Sequence, residues 1–447
     1  MRDERISQMT DERGNCRILA KGVTVSNDTW ITGLNNNDLI IGPSGAGKTR
    51  GYVKPTIMQA NESFVITDTK GNLYREMSPL LKKHGYRTLL IDFKNMKSTC
   101  GYNPLDYISY DDERQCYSEE SIMKLCTAIT PEASYQKDPY WQNAARQYLE
   151  CLVAYVMECL PPEEHTLEYV IRLSGMMQTN VFSDLMRELL TLDPDGYASR
   201  MYRQIEGNKT AEKMHASVLG ILSENLNGLA TRALIQVYNH PDKLVFETIG
   251  QEKTAVFLSV SDTDRSQDRL ISLFYTQAFQ ALCDYADNEC EDSALPVPVR
   301  FILDDFAANC VIKDFDNLIS VIRSREIYVS IILQSISQLE AIYGPEKSQT
   351  IINNCDHCLY LGGQDIRTAE YMAVKVNKTM NTILNMPLDQ AWLFTRGSGA
   401  RQVEKYDIRE HRRYGELAEA KRLRRAPGTP EGEKPTKSPQ RSEGLCA

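Results

Sequence analysis

The sequence has no long apolar run. Its longest candidates, CLVAYVMECL and TAVFLSV, are core-sized, whereas a membrane-spanning helix needs about 20 consecutive apolar residues. The chain as given is therefore expected to be soluble. It also has no excess of positive charge: 51 Lys and Arg face 60 Asp and Glu, a formal net charge of −9. That excludes a surface that attracts nucleic acid everywhere, so any such contact has to be a local patch or an internal channel. A cysteine framework is missing too. The 12 cysteines are scattered, and the opening MRDERISQMTDERGN is too charged for a signal peptide. Reduced thiols in a cytoplasm are the expectation. Cys355-Asp-His-Cys358 looks like half a metal site, but no second cysteine pair stands at a useful distance and the segment reads as a strand.

What is present is an ordinary globular composition, 42% hydrophobic and 25% charged, with room for two or three domains. The sharpest feature is IIGPSGAGKTRG, in which Gly42, Pro43, Ser44, Gly45, Ala46, Gly47, Lys48 and Thr49 fit G-x-x-x-x-G-K-[ST]. Glycines at that spacing let successive N–H groups point inward at phosphate oxygens, and the following helix aims its positive end at the same anion. Lys48 then reaches the β- and γ-phosphates, and Thr49 ligates Mg²⁺. The loop needs a strand before it, which Leu39–Ile41 supplies, and a helix after it. Residues 48–60 are that helix, with a kink expected at Pro55. A nucleoside triphosphate, ATP, is the ligand this implies.

Apolar β-type runs recur in two blocks. The first holds Leu39–Ile41, Ser63–Thr67 and Thr88–Ile91; the second holds Thr254–Val260, Val299–Leu303, Tyr328–Leu333, Cys358–Leu361 and Ala391–Thr395. Helical stretches between them predict an α/β fold with a mostly parallel sheet. Between the blocks the period changes. Trp141, Ala144, Ala145, Tyr148, Leu149, Leu152, Val153, Val156 and Leu160 follow helical spacing after a start signal at Asp138-Pro139. No convincing strand is visible there. The plan read from these shifts is a nucleotide-binding domain in two parts, 1–105 and 235–410, an all-α insertion over 106–234, and a disordered basic tail over 411–447.

A phosphate loop needs a metal-holding acid at the end of a neighbouring strand. In VRFILDDFA, an apolar run leads into Asp304, expected to hold Mg²⁺ through water, and Asp305, expected to polarise the attacking water. VIRSREIYVSIILQS places Arg323 and Arg325 before a buried strand that ends in Gln334. Gln334 suits a γ-phosphate sensor, and the arginines suit either a finger reaching a neighbouring subunit or a surface ion pair with Glu326 or Asp314.

Taken in order, these segments resemble the type IV secretion coupling proteins, the conjugative DNA-transfer ATPases of bacteria. NNDLIIGPSGAGKTRGYVKPTI, SFVITDTKGNLY, GYNPLDYI, DPYWQNAARQYL, SDTDRSQDRLISLFYTQAFQ, the Asp304–Gln334 stretch and MPLDQAWLFTRGSGARQVEKYD are each similar to family segments, the last to a closing hairpin. The match covers about 35–410. The resemblance implies a RecA-like P-loop motor with an inserted all-α domain. It implies homo-hexameric rings at the cytoplasmic face of the inner membrane. These would pass relaxase-bound single-stranded DNA, or proteins, to secretion-channel ATPases and membrane components. It adds Asp68, in TDTKG, to the nucleotide site and favours Arg323 over Arg325 as the finger. Two departures stand out. Asp305 replaces the usual Glu, which bears on hydrolysis rate, and the phosphate loop arrives after only 41 residues, without the usual membrane helices. The latter is expected of a naturally soluble form or a truncated product. Two other functions compete: a ring translocase of the chromosome segregation and repair type (FtsK/HerA), and a nucleotide-gated adaptor that recruits secretion substrates with little hydrolysis.

Overall fold

In the computed structural model, residues 15–425 are described apart from 96, 131–139, 210–211, 262 and 307–310. The start signal Asp138-Pro139 lies outside the described residues. A short antiparallel hairpin, β1 (Cys16–Ala20) and β2 (Val23–Ser26), precedes the main sheet. The main sheet is built from β3 (Asp38–Ile41), β4 (Ser63–Asp68), β5 (Arg87–Asp92), β8 (Thr254–Ser259), β9 (Val299–Leu303), β10 (Ile327–Leu333), β11 (His357–Tyr360), β12 (Gln390–Thr395) and β13 (Arg401–Glu404). Its order is β13-β12-β11-β3-β10-β9-β4-β8-β5. From β11 to β5 every neighbouring pair is parallel, and β12 and β13 add an antiparallel hairpin at one edge. The α/β, mostly parallel sheet expected from the alternation is what forms.

The sheet is covered on both sides, which is why its central strands read as continuous apolar runs rather than alternating ones. Alternate residues feed two cores. Leu39, Ile41, Val65 and Leu303 pack with the long helix Asp268–Glu289 and the helical block. Ile40, Phe64, Ile66, Ile302 and Ile332 pack with β1, β2 and the helices Lys54–Gln59 and Leu73–Lys83. The phosphate-loop strand β3 lies near the middle, between β10 and β11.

Between β5 and β8 the chain is mainly helical. Tyr140–Cys159 runs through the block with Ala144, Ala145, Tyr148, Leu149, Leu152 and Val156 buried, the face its spacing predicted. One expectation fails here. The segment read as strand-free contains a two-residue hairpin, β6 (Tyr110–Asp111) and β7 (Cys116–Tyr117). Asp111 makes it by accepting the N–H groups of Glu113 and Arg114, with Gln115 left-handed at φ 53°. Such short strands have no periodicity to read. The expected disorder over 411–447 also fails at its start, because Tyr414–Arg425 is helical. Leu417 is buried against the second core, and Glu416 pairs with Lys83, the last residue of the helix Leu73–Lys83, and with His84 that caps it. Residues 426–447 lie outside the described residues. No helix among the described residues is long and apolar enough to cross a membrane.

Candidate functional site

The loop after β3 curls because two glycines take left-handed backbone, Gly45 at φ 81° and Gly47 at φ 97°, which side chains with a Cβ rarely adopt. Gly42 is needed for space instead: a Cβ there would stand 3.0 Å from the Cβ atoms of Ala46 and Leu361. The segment after the loop departs from the plain helix expected. Thr49–Val53 forms a wide π turn, in which the Lys54 N–H reaches back to the Thr49 carbonyl, and the α-helix Lys54–Gln59 begins only there. Pro55 sits in the first turn of that helix, where a missing N–H costs nothing, so it does not kink an established helix.

A cleft of about 430 Å³ opens at the C-terminal ends of β3, β10, β9 and β4. Pro43, Ser44, Gly45, Gly47, Lys48 and Thr49 line it on one side. Gln334, Asp305, Asp304 and Asp68 line it on the others, so the residues singled out at long sequence separations converge. Lys48 is buried and its ammonium donates to the Gly42 and Pro43 carbonyls at 2.5 and 3.3 Å. Burial lowers its pKa, while Asp305 and Asp304 oppose that shift. Asp304 is 8% exposed. Burial first, and then the neighbouring Asp305 charge, push its carboxyl up to about 6. Asp305 has left-handed backbone, φ 51°, and its Oδ1 accepts from Gln334 Nε2 at 3.4 Å. Asp and Asn tolerate that conformation better than most residues.

A buried Asp304 with the half-buried Asp305 beside a threonine hydroxyl is a set of hard oxygen donors, which suits Mg²⁺ that keeps several of its waters. Thr49 and Asp304 fit that ion: the Asp304 carboxyl accepts the Asp305 backbone N–H and forms no ion pair among the described residues, so it keeps an oxygen for a cation.

Asp68 lines the cleft but is occupied. Its oxygens accept the N–H groups of Asn72 and Tyr74 at 3.1 and 3.0 Å, holding the start of the helix Leu73–Lys83. Sequence reading missed three other cleft residues. Lys70 is exposed at its rim, and Lys54 pairs with Glu76 at 2.8 Å across its wall. Only the TDTKG match hinted at Lys70; nothing marked the ion pair.

Arg323 and Arg325 are not in this cleft. They form one turn, Arg323–Arg325, before β10, at the opposite end of the sheet. The seven residues of β10 put about 23 Å between that turn and Gln334. Arg325 is held by Asp287, Nε to Oδ1 at 2.8 Å and Nη2 to Oδ2 at 2.6 Å, a partner the sequence did not suggest. Arg323 is exposed and makes no side-chain hydrogen bond or ion pair among the described residues.

The family described as "Type IV secretory system Conjugative DNA transfer" matches residues 4–383. Protein VirD4 of Rhizobium radiobacter is 23% identical over 366 residues, 81% of this chain and 51% of that protein. The conjugal transfer protein TraG of Escherichia coli is 22% identical over 355 residues, 75% of this chain and 54% of that protein. The chain thus spans about half the length of these curated relatives. Among solved structures, the plasmid coupling protein TrwB in complex with the ATP analogue ADPNP superimposes with a TM-score of 0.67 at 16% identity, covering 90% of this chain and 92% of that one. At that identity the likeness speaks for the fold.

Proposed function

We propose, from the premise that this chain belongs to the type IV secretory system conjugative DNA transfer family, that it is an ATP-hydrolysing coupling protein. Its cargo is relaxase-bound single-stranded DNA or secreted protein, handed to a secretion channel at the cytoplasmic face of the inner membrane. The observation that carries the reading is the convergence of Lys48, Thr49, Asp304, Asp305 and Gln334 in one cleft from three adjacent strands. TrwB, solved with ADPNP and with ADP and Mg²⁺, supports the choice of ligand.

In this reading the loop N–H groups and Lys48 bind the phosphates, and Lys48 leaves the Gly42 and Pro43 carbonyls to do so. Thr49 and Asp304 would hold Mg²⁺, which neutralises phosphate charge when bound. Asp305 accepts a hydrogen bond from the attacking water, and Gln334, already within reach of Asp305, orients it toward the γ-phosphorus. The bond to the β,γ-bridging oxygen breaks, and the water proton leaves through Asp305 or the released phosphate. Arg323 is too far from its own cleft to contribute there, so it acts on the cleft of a neighbouring subunit in a homo-hexamer. The proposed domain plan remains a two-part nucleotide-binding domain over 1–105 and 235–410 and a helical insertion over 106–234.

Steady-state ATPase turnover, with and without single-stranded DNA, tests this. The expected result is Mg²⁺-dependent turnover that DNA raises and that Lys48→Ala abolishes together with ATP binding. Tight binding with no turnover in either condition would instead favour a nucleotide-gated adaptor. Unchanged ATP binding and turnover in Lys48→Ala would overturn the nucleotide site.

A further inference from the structure

Three strands deliver cleft residues at their C-terminal ends, and each carries a buried polar residue four positions upstream. Asp38 precedes Gly42 on β3, Arg300 precedes Asp304 on β9, and Ser330 precedes Gln334 on β10. A spacing of four keeps two side chains on one face of a strand, about 13 Å apart. On that face the three upstream residues meet. Arg300 Nη1 donates to Asp38 Oδ2 at 3.4 Å and to Ser330 Oγ at 3.2 Å. Arg17 Nε donates to the same Asp38 oxygen at 2.8 Å, and Glu62 takes the Arg300 Nε at 2.5 Å and Nη2 at 3.1 Å. Asp38, Ser330 and Arg300 are all 0% exposed, so these charges are held by one another and not by water.

Tyr52 joins this cluster from the phosphate loop's own helix. It is fully buried, and its hydroxyl donates to Asp38 Oδ2 at 2.5 Å and lies 2.8 Å from Ser330 Oγ. It stands three residues after Thr49, inside the π turn. Such a turn carries one residue more than an α-turn, and these bulges recur at functional sites. Here the extra residue rotates the tyrosine onto the sheet. With ordinary geometry, at about 100° per residue, its hydroxyl would swing off the Asp38–Ser330 pair.

We propose that Tyr52 is a positioning residue for the nucleotide site: its hydroxyl pins the turn behind the phosphate loop to the roots of the three strands, and so sets Lys48 and Thr49 at their working height over Asp304 and Gln334. The proposal rests on the nucleotide reading above. Asp38, Arg300 and Ser330 act through Tyr52 and touch no ligand themselves.

The test compares two buried tyrosines that each lose only a hydroxyl. Tyr52→Phe removes the pin. Tyr238→Phe is the control, because Tyr238 is equally buried but, among the described residues, its hydroxyl donates to the Leu229 carbonyl in the helical block and not to the strands. Both are assayed well below their melting temperatures by titration with ATP and Mg²⁺. Tyr52→Phe is expected to weaken ATP–Mg²⁺ binding about tenfold, and Tyr238→Phe to leave it within twofold. Ser330→Ala should reproduce part of the Tyr52→Phe loss, because it removes one of the two hydrogen-bond partners of the Tyr52 hydroxyl. If Tyr52→Phe melts lower yet binds ATP like its parent, the hydroxyl is structural and the proposal is overturned. Absence of ATP binding in the unaltered protein would instead overturn the nucleotide reading beneath it.

Discussion

Removing the Asp304 charge should stabilise the metal-free protein while destroying its affinity for Mg²⁺. The carboxyl rises from 3.8 to about 6 on folding, through burial and then the Asp305 charge. At about 1.4 kcal/mol per tenfold change in proton affinity, that rise costs about 3 kcal/mol of stability at pH 7. The sign follows from proton counting. The folded state holds a proton that the unfolded state releases, so stability is lost as pH rises from near 3.8 to near 6 and the full cost applies above that. Asp304→Asn keeps the shape and removes the cost. In EDTA at pH 7.5 its denaturant midpoint should exceed the parent's by an amount worth up to about 3 kcal/mol. At pH 5 the advantage should fall to about half, and below pH 4 it should vanish. Adding Mg²⁺ on top of ATP should then raise the parent's melting temperature further and leave the variant's where ATP alone puts it. An Asp304→Asn protein no more stable than its parent at pH 7.5, or one whose advantage grows on acidification, would refute the reasoning.

Three further outcomes follow from the same geometry. Asp305→Asn should bind ATP normally and turn it over at least tenfold more slowly, as measured by phosphate release. Asp305→Glu should keep turnover but lose about 1 kcal/mol of stability, because a longer side chain sits worse at φ 51°; equal turnover in the Asn variant would move the water-activating role elsewhere. ATPase activity per chain should rise with protein concentration, and Arg323→Ala should remove the rise. Mixing that variant with Lys48→Ala should restore some turnover, since one subunit keeps a sound finger and its neighbour a sound loop; a silent mixture would make Arg323 an ordinary surface arginine. Binding of single-stranded DNA should fall with salt, with a log–log slope of about −0.7 per phosphate contact, and salt-independent binding would argue for protein cargo alone.

The residues legible in the sequence were those whose role depends on near neighbours. The phosphate loop, the strand before it and the Asp304–Asp305 pair are each set by a few consecutive residues. The placement of Gln334 beside β3 needed only the rule that such a strand flanks the loop. What escaped notice depends on pairing across the chain. Arg300 was read as one member of an apolar run, yet it is fully buried because Glu62 and Asp38, more than 200 residues away, neutralise it. The π turn was invisible because Thr49–Val53 carries no sequence signature of one, and its Tyr52 is held by Asp38 and Ser330 from distant strands. Asp68 came to the nucleotide site only through the resemblance of TDTKG to a family motif; it lines the cleft, and the backbone N–H groups that its two oxygens hold could not be read from the sequence. The hairpin β1–β2 had a local sign, Lys21-Gly22 between short alternating runs, with Gly22 at φ 68°.

The interleaved strand order bears on how the protein is made. Of the main sheet's strands, β3, β4 and β5 are synthesised first, but none of the three pairs with another: β3 lies between β10 and β11, β4 between β9 and β8, and β5 beside β8. A nascent chain ending anywhere before β8 therefore has three apolar segments and no sheet to place them in. β3 finds its first partner in β10, some 290 residues after it leaves the ribosome, a wait of about 15–60 s at bacterial elongation rates. The helical block, whose contacts are local, can collapse in that interval. The phosphate loop thus forms as one of the last events of folding, and ribosome-bound chains stalled before β10 should hold a protected helical core, open to probes at every residue of the loop.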